Sequence, residues 1–138
     1  MSAERFPPND PREWLNYAQS NLIQARGGGQ LPGVYLEDLC FNAQQAAEKA
    51  IKAVLIALEV RFPYAHDLSE LLRLVEQAGQ ALPEHIRQAA RLSDYAVEAR
   101  YPGFAEPVSQ EEYEEAVSIT VSVLNWAQEI VQKCLASK

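Results

Sequence analysis

From about Val34 to Glu59 the chain runs without a proline or a glycine. Leu36, Leu39, Cys40, Ala43, Ala47, Ala50, Ile51, Val54, Leu55 and Leu58 recur through it at three- and four-residue steps, the spacing of one broad helical face. A helix of about 25 residues is about 37 Å long at about 1.5 Å per residue, enough to run the length of a small bundle. Ala43, Ala46, Ala47 and Ala50 keep its surface low, so a neighbouring helix can approach closely. A helix this long and this apolar must be covered by others, and the rest of the chain supplies them.

Asp10-Pro11-Arg12-Glu13 is a start signal: Asp10 can accept from free amides, Pro11 suits the first helical position and Glu13 completes a capping box. Trp14, Tyr17, Ala18, Leu22 and Ala25 form the following stripe, and Gly27-Gly28-Gly29 is expected to end it, since left-handed backbone is cheap there. Asp67-Leu-Ser-Glu70 repeats the capping pattern ahead of Leu68, Leu71, Leu72 and Val75, with a stop near Gly79. Leu82-Pro83 opens a fourth helix carrying Ile86, Ala89, Ala90 and Leu92 toward Tyr95 or Ala99, stopped by Pro102-Gly103. Ser109-Gln-Glu-Glu112 starts the last, which runs through Ala116, Ile119, Val123, Leu124, Trp126, Ala127, Ile130 and Val131 to Cys134. No alternating apolar run lies between hairpin turns. The expected fold is all-α, an up-and-down bundle of about five helices with mostly antiparallel neighbours, in a single domain over residues 1–138.

The net charge of −7 argues against a protein that coats duplex DNA or RNA, because such affinity depends on many contacts from Lys and Arg to phosphates. No stretch approaches the roughly 18 apolar residues of a membrane span, and MSAERFPPND carries no secretory signal, so a cytoplasmic location is expected. Cys40 and Cys134 sit apart in amphipathic segments and read as buried free thiols.

Signals for chemistry are few. The histidines, His66 and His85, have no helical partner at metal-ligand spacing, and phosphate-cradling glycine motifs and the serine-nucleophile elbow do not occur, so neither metal nor cofactor is expected. Glu111, Glu112, Glu114 and Glu115 fit the solvated start of a helix. Lys49 and Lys52, three apart, can either touch a phosphate or keep a face wet. Tyr95, Arg100 and Tyr101 stand where the fourth helix breaks, a guanidinium and two rings able to bind phosphate and stack a base, or else to close the core. Arg61 and His66 are separated by four residues, with Pro63 between them interrupting any regular helix.

Leu39-Cys-Phe-Asn-Ala-Gln-Gln-Ala-Ala-Glu-Lys-Ala-Ile-Lys-Ala-Val-Leu55 resembles the signature helix of the HEPN family, the higher eukaryotes and prokaryotes nucleotide-binding domain. His66-Asp67-Leu68 with Leu71-Leu72 is similar to the start of the family's next helix, and Ala99-Arg-Tyr-Pro102 to its arginine-tyrosine-proline break. The resemblance implies a helical bundle like the helical domain of kanamycin nucleotidyltransferase. It also implies a homodimer that complexes a minimal nucleotidyltransferase, often in a toxin–antitoxin pair.

Some members of the family are metal-independent ribonucleases, with an arginine followed four to six residues later by a histidine on a helix late in the domain. Here the late arginine, Arg100, has no histidine after it, and Arg61/His66 lies between the second and third helices. The expected function is therefore a non-catalytic, dimeric subunit that docks a nucleotidyltransferase. A nucleotide or RNA site is expected among Arg100, Tyr101, Tyr95, His66, Lys49 and Lys52. The alternatives are a ribonuclease toxin using Arg61 and His66, and a purely structural dimerisation module.

Overall fold

The computed structural model describes residues 4–64, 67–95 and 107–138. Among these, α1 spans Pro11–Gly28, α2 Leu36–Ala57, α3 Leu68–Gln77, α4 Glu84–Arg87 and α5 Gln110–Ala136, with a 3-10 stretch at Gln88–Tyr95 following α4 and no strand. The chain is all-α, as its periodicity requires.

Three of the helix starts follow from single side chains. Asp10 accepts from Arg12 N, Asp67 from Ser69 N, and Ser109 from Glu112 N while Glu112 accepts from Ser109 N in return. Each satisfies amides that the helix itself leaves without partners. Glu13 does not close a box at α1, and its carboxylate turns instead to the segment preceding the helix.

The end of α1 differs from the expectation. Gly27 and Gly28 are helical, and Gly29 has φ −63°, not the left-handed value. What the glycines provide is close approach: a Cβ on Gly28 would run into the Leu39 side chain of α2. Tyr113 of α5 then closes this end of α1, its hydroxyl donating to Ala25 O at 2.6 Å.

Left-handed backbone appears at two other helix ends. After α3, Gly79 has φ +87°, Gly79 N donates to Glu76 O and Gln80 N to Val75 O, a Schellman motif. After α2 the same pair of bonds, Glu59 N to Ile56 O and Val60 N to Leu55 O, is built around Glu59 at φ +61°. A side chain in that conformation costs about 1–2 kcal/mol. Glu59→Gly is therefore expected to raise unfolding stability by about 0.5–1 kcal/mol in a urea titration, net of glycine's extra chain entropy.

Contacts between the long helices set their directions. Gly28 meets Leu39, Asn21 bonds Lys49, and Lys52 lies over Trp14, so α1 and α2 are antiparallel. Thr120 bonds Ala43 O, and Val131 near the end of α5 clusters with Ala53 and Ala57 near the end of α2. The pair α2 and α5 is therefore parallel, an exception to the expected antiparallel neighbours, and follows from the shorter elements intervening between them. Besides α1 and α5, α2 contacts α3 and the 3-10 stretch, which makes it the central helix. Its Ala43, Ala46, Ala47, Ala50, Ile51, Ala53, Val54 and Leu55 are fully buried. Cys40 is buried, but Cys134 is only partly covered; the two do not form a disulfide.

Candidate functional site

Along one side of α2, Gln44, Glu48 and Lys52 recur every four residues, and all three are buried. Gln44 Nε2 donates to Glu48 Oε1 at 3.2 Å, and Lys52 Nζ donates to Glu48 Oε2 at 3.0 Å. Glutamate four residues before lysine is the favourable order on a helix. Burial raises the stakes, because in low dielectric an unmatched charge is far more costly than in water.

Aromatic rings from two other segments gather round the Lys52 ammonium. Its Nζ lies 5.9 Å from the ring centre of Trp14, 5.8 Å from that of Phe62 and 5.8 Å from that of Tyr64. These distances suit attraction between a cation and the negative ring faces. Trp14 and Phe62 also meet edge to face, with centres 6.4 Å apart. The turn at Glu59 directs the chain so that Phe62 reaches this position, and Lys52 thereby ties α1, α2 and the segment after α2 together.

Lys49, one turn earlier, is in a different situation. It is half-buried, and its Nζ donates to Asn21 Oδ1 at 2.7 Å and lies 5.7 Å from the Tyr17 ring centre. Burial pushes its pKa below the ordinary lysine value. It lines a cleft of about 260 Å³ with Pro8, Glu13, Trp14 and Tyr17.

One side of this cleft is the segment before α1, folded back along the helix. Trp14 Nε1 donates to Pro8 O at 2.8 Å, Asn16 Nδ2 to Glu4 O at 2.6 Å, and Arg5 Nη2 to Tyr17 Oη at 3.3 Å. Glu13, itself buried, accepts from Phe6 N at 3.0 Å and from Arg5 Nε at 2.9 Å. The bond from Phe6 N, with help from Asn16 and Arg5, holds the Glu13 carboxyl below the usual glutamate pKa against the opposing effect of burial. A carboxylate whose pKa falls on folding contributes stability that is complete above its unfolded-state value and lost as pH falls through the folded one. Glu13→Gln is therefore expected to flatten the acid limb of stability against pH, measured as urea midpoints over a pH series. Parallel acid limbs for the two proteins would show that these bonds do not select the ionised form.

The remaining candidates are dispersed or lie elsewhere. Tyr95 is half-buried at the end of the 3-10 stretch and borders a separate hollow with Arg91, Asp94, Glu112 and Glu115, which shares no lining residue with the Lys49 cleft. Arg61 is exposed on the segment after α2. His66, Arg100 and Tyr101 lie outside the described residues, as does the Pro102-Gly103 stop. Glu111, Glu112, Glu114 and Glu115 are exposed, and Glu115 pairs with Arg91 at 3.0 Å. His85 is exposed on α4, and among the described residues no three His, Cys, Asp or Glu side chains converge as a metal site.

Three of the six proposed ligand residues are described: Tyr95 lies apart, Lys49 and Lys52 share one side of α2, and of that pair Lys49 lines the cleft. Reading the pair as a wet helix face misses that α1 covers it. The buried stripe expected of the first helix includes Trp14 and Tyr17, yet Tyr17 is 50% exposed and both border the cleft. A signal for them is present in the sequence: two rings three residues apart on α1 and a polar ladder at four-residue steps on α2.

The HEPN domain family model matches residues 11–131. Among solved structures, TT1696 from Thermus thermophilus is 33% identical with a TM-score of 0.76, over 88% of this chain and 98% of that one. ST0689, described as an archaeal HEPN homologue, is 27% identical with a TM-score of 0.70, over the same shares of the two chains. Comparison with curated proteins returns no match. A match that extends from the first residue of α1 well into α5, carried by the same central helix that builds the cleft, means that the chain belongs to the HEPN domain family.

Proposed function

We propose that the protein is a non-catalytic HEPN subunit, homodimeric, which docks a minimal nucleotidyltransferase and binds a nucleotide or RNA. The observation that carries the non-catalytic part is the position of Arg61. It is exposed beyond the Glu59 turn, on irregular backbone, and no histidine follows His85 anywhere in the chain. A general acid–base histidine has to be held within hydrogen-bond reach of the reacting group, and the late part of the chain has none to offer.

Docking is supported by family membership and by apolar side chains left outside at one end of the bundle. Ile23, Leu31 and Tyr35 are exposed at the end of α1 and the turn into α2.

The test is co-expression with a minimal nucleotidyltransferase, taken from the neighbouring gene where that gene encodes one, followed by light scattering and RNA-cleavage assays in EDTA. The expected result is a stable complex containing two copies of this chain and no cleavage by either the chain or the complex. Metal-independent cleavage that His66→Ala abolishes would replace this reading with the ribonuclease one. A chain that stays alone in the presence of the neighbouring protein would remove the docking role.

A further inference from the structure

The cleft between α1, α2 and the folded-back segment combines a flat apolar wall with an uneven distribution of charge. Pro8, Trp14 and Tyr17 supply the wall. Glu13 also lines the cleft, but its oxygens are engaged by Phe6 N, Arg5 and Asn16.

Lys49 is not matched in this way. Among the described residues its hydrogen-bond acceptor is the neutral Asn21, and the Glu48 carboxylate, which pairs directly with Lys52, acts on it by charge alone. An ammonium has three donors, so two remain for a ligand. Arg5 lies on the same ring as Lys49, its guanidinium carbon 5.6 Å from the Tyr17 centre, and its side chain is largely exposed. Two cations thus lie within about 6 Å of the centre of one exposed aromatic ring, Arg5 with its Nε already on Glu13 and Lys49 without such an ion pair.

We propose that this cleft binds a nucleobase together with its phosphate, the base against Trp14 and Tyr17 and the phosphate on Lys49 with Arg5. The assignment deepens the nucleotide-binding part of the function proposed above and rests on it. Base stacking on aromatic side chains contributes about 1–3 kcal/mol per base and tolerates any base, so preference among bases is expected to be weak. At about 260 Å³, the cleft falls just below the roughly 300–1,000 Å³ of pockets for larger ligands. A nucleotide, free or as one residue of an RNA, would therefore lie against the wall partly exposed and not be enclosed. A phosphate beside Lys49 would also offset the burial that disfavours its charged form.

Calorimetric titration of the full chain without any partner tests this, with AMP, UMP, adenosine, inorganic phosphate and an RNA tetranucleotide as probes. AMP and UMP are expected to bind similarly, with adenosine and inorganic phosphate each at least about tenfold weaker, because each lacks one half of the contact. Lys49→Met should weaken AMP binding about tenfold or more while Lys49→Arg retains it, and Tyr17→Ala should weaken it comparably. In the unmodified chain, the Trp14 indole N–H resonance should shift on adding AMP and that of buried Trp126 should not.

The probes also distinguish the source of the ligand. A tetranucleotide that binds more tightly than AMP, and is weakened by the same variants, identifies RNA; equal affinity identifies the free nucleotide. Binding that persists unchanged in both Lys49→Met and Tyr17→Ala, with no shift at Trp14, would overturn the cleft while leaving a nucleotide site elsewhere. No binding of any probe would overturn both the cleft and the nucleotide part of the proposed function, with docking still decided by co-purification.

Discussion

Lys52→Ala is expected to lower unfolding stability by about 3–5 kcal/mol, the usual result of removing one member of a buried ion pair. Lys52 is 5% exposed and Glu48 3%, and their charged atoms are 3.0 Å apart. The substitution leaves a buried carboxylate without this ammonium, and also removes the cation from among Trp14, Phe62 and Tyr64. Exposed pairs elsewhere, such as Arg73 with Glu70 or Arg87 with Glu76, are expected to contribute little, because water and salt screen them.

The double variant Lys52→Met, Glu48→Gln separates the pair from the packing. It keeps both side-chain volumes and removes both charges, so it should recover most of the loss. Urea unfolding of the single and double variants measures this. A loss below about 1 kcal/mol in Lys52→Ala would mean that water reaches the pair and that it behaves like a surface one.

Ile51→Ala should cost about 2–5 kcal/mol, from lost apolar burial and the cavity left behind. Ile51 is fully buried on α2, which has neighbours on several sides, so collapse around the missing atoms is restricted. Ile23→Ala is the matched control. Ile23 is 60% exposed on α1, and its loss is expected to stay within about 0.5 kcal/mol. Similar losses at the two positions, in the chain measured without a nucleotidyltransferase, would mean that a second copy covers this face of α1 and leaves Ile23 unavailable for docking.

Much of the fold was legible because it depends on local rules. The caps at Asp10, Asp67 and Ser109 each involve amides two or three residues away, and the apolar stripe of α2 is a property of one segment. The same locality explains the misreadings. Glu13 fits a capping box by pattern, yet it bonds Phe6 N and Arg5 in a segment with no periodicity to announce its position. The glycine triplet has the pattern of a flexible stop, whereas Gly28 is small because Leu39 of another helix lies against it. Glu59 in left-handed backbone carries no local signal at all.

The site was legible only as residue types. Lys49 and Lys52 are three apart on one helix and look equivalent in the sequence. The difference between them is tertiary: Lys52 lies inside a ring of aromatics beside buried Glu48, while Lys49 is held by Asn21 at a cleft. Sequence alone therefore determined the all-α class, the three capped helix starts and the family, because periodicity, capping and the signature helix depend on near neighbours or on pattern. The tertiary structure decided the parallel pairing of α2 with α5, the burial of the Gln44–Glu48–Lys52 ladder and the partners of each lysine. Those depend on which faces meet when distant segments pack, and the charge of a lysine is matched or left available by residues far from it in the chain.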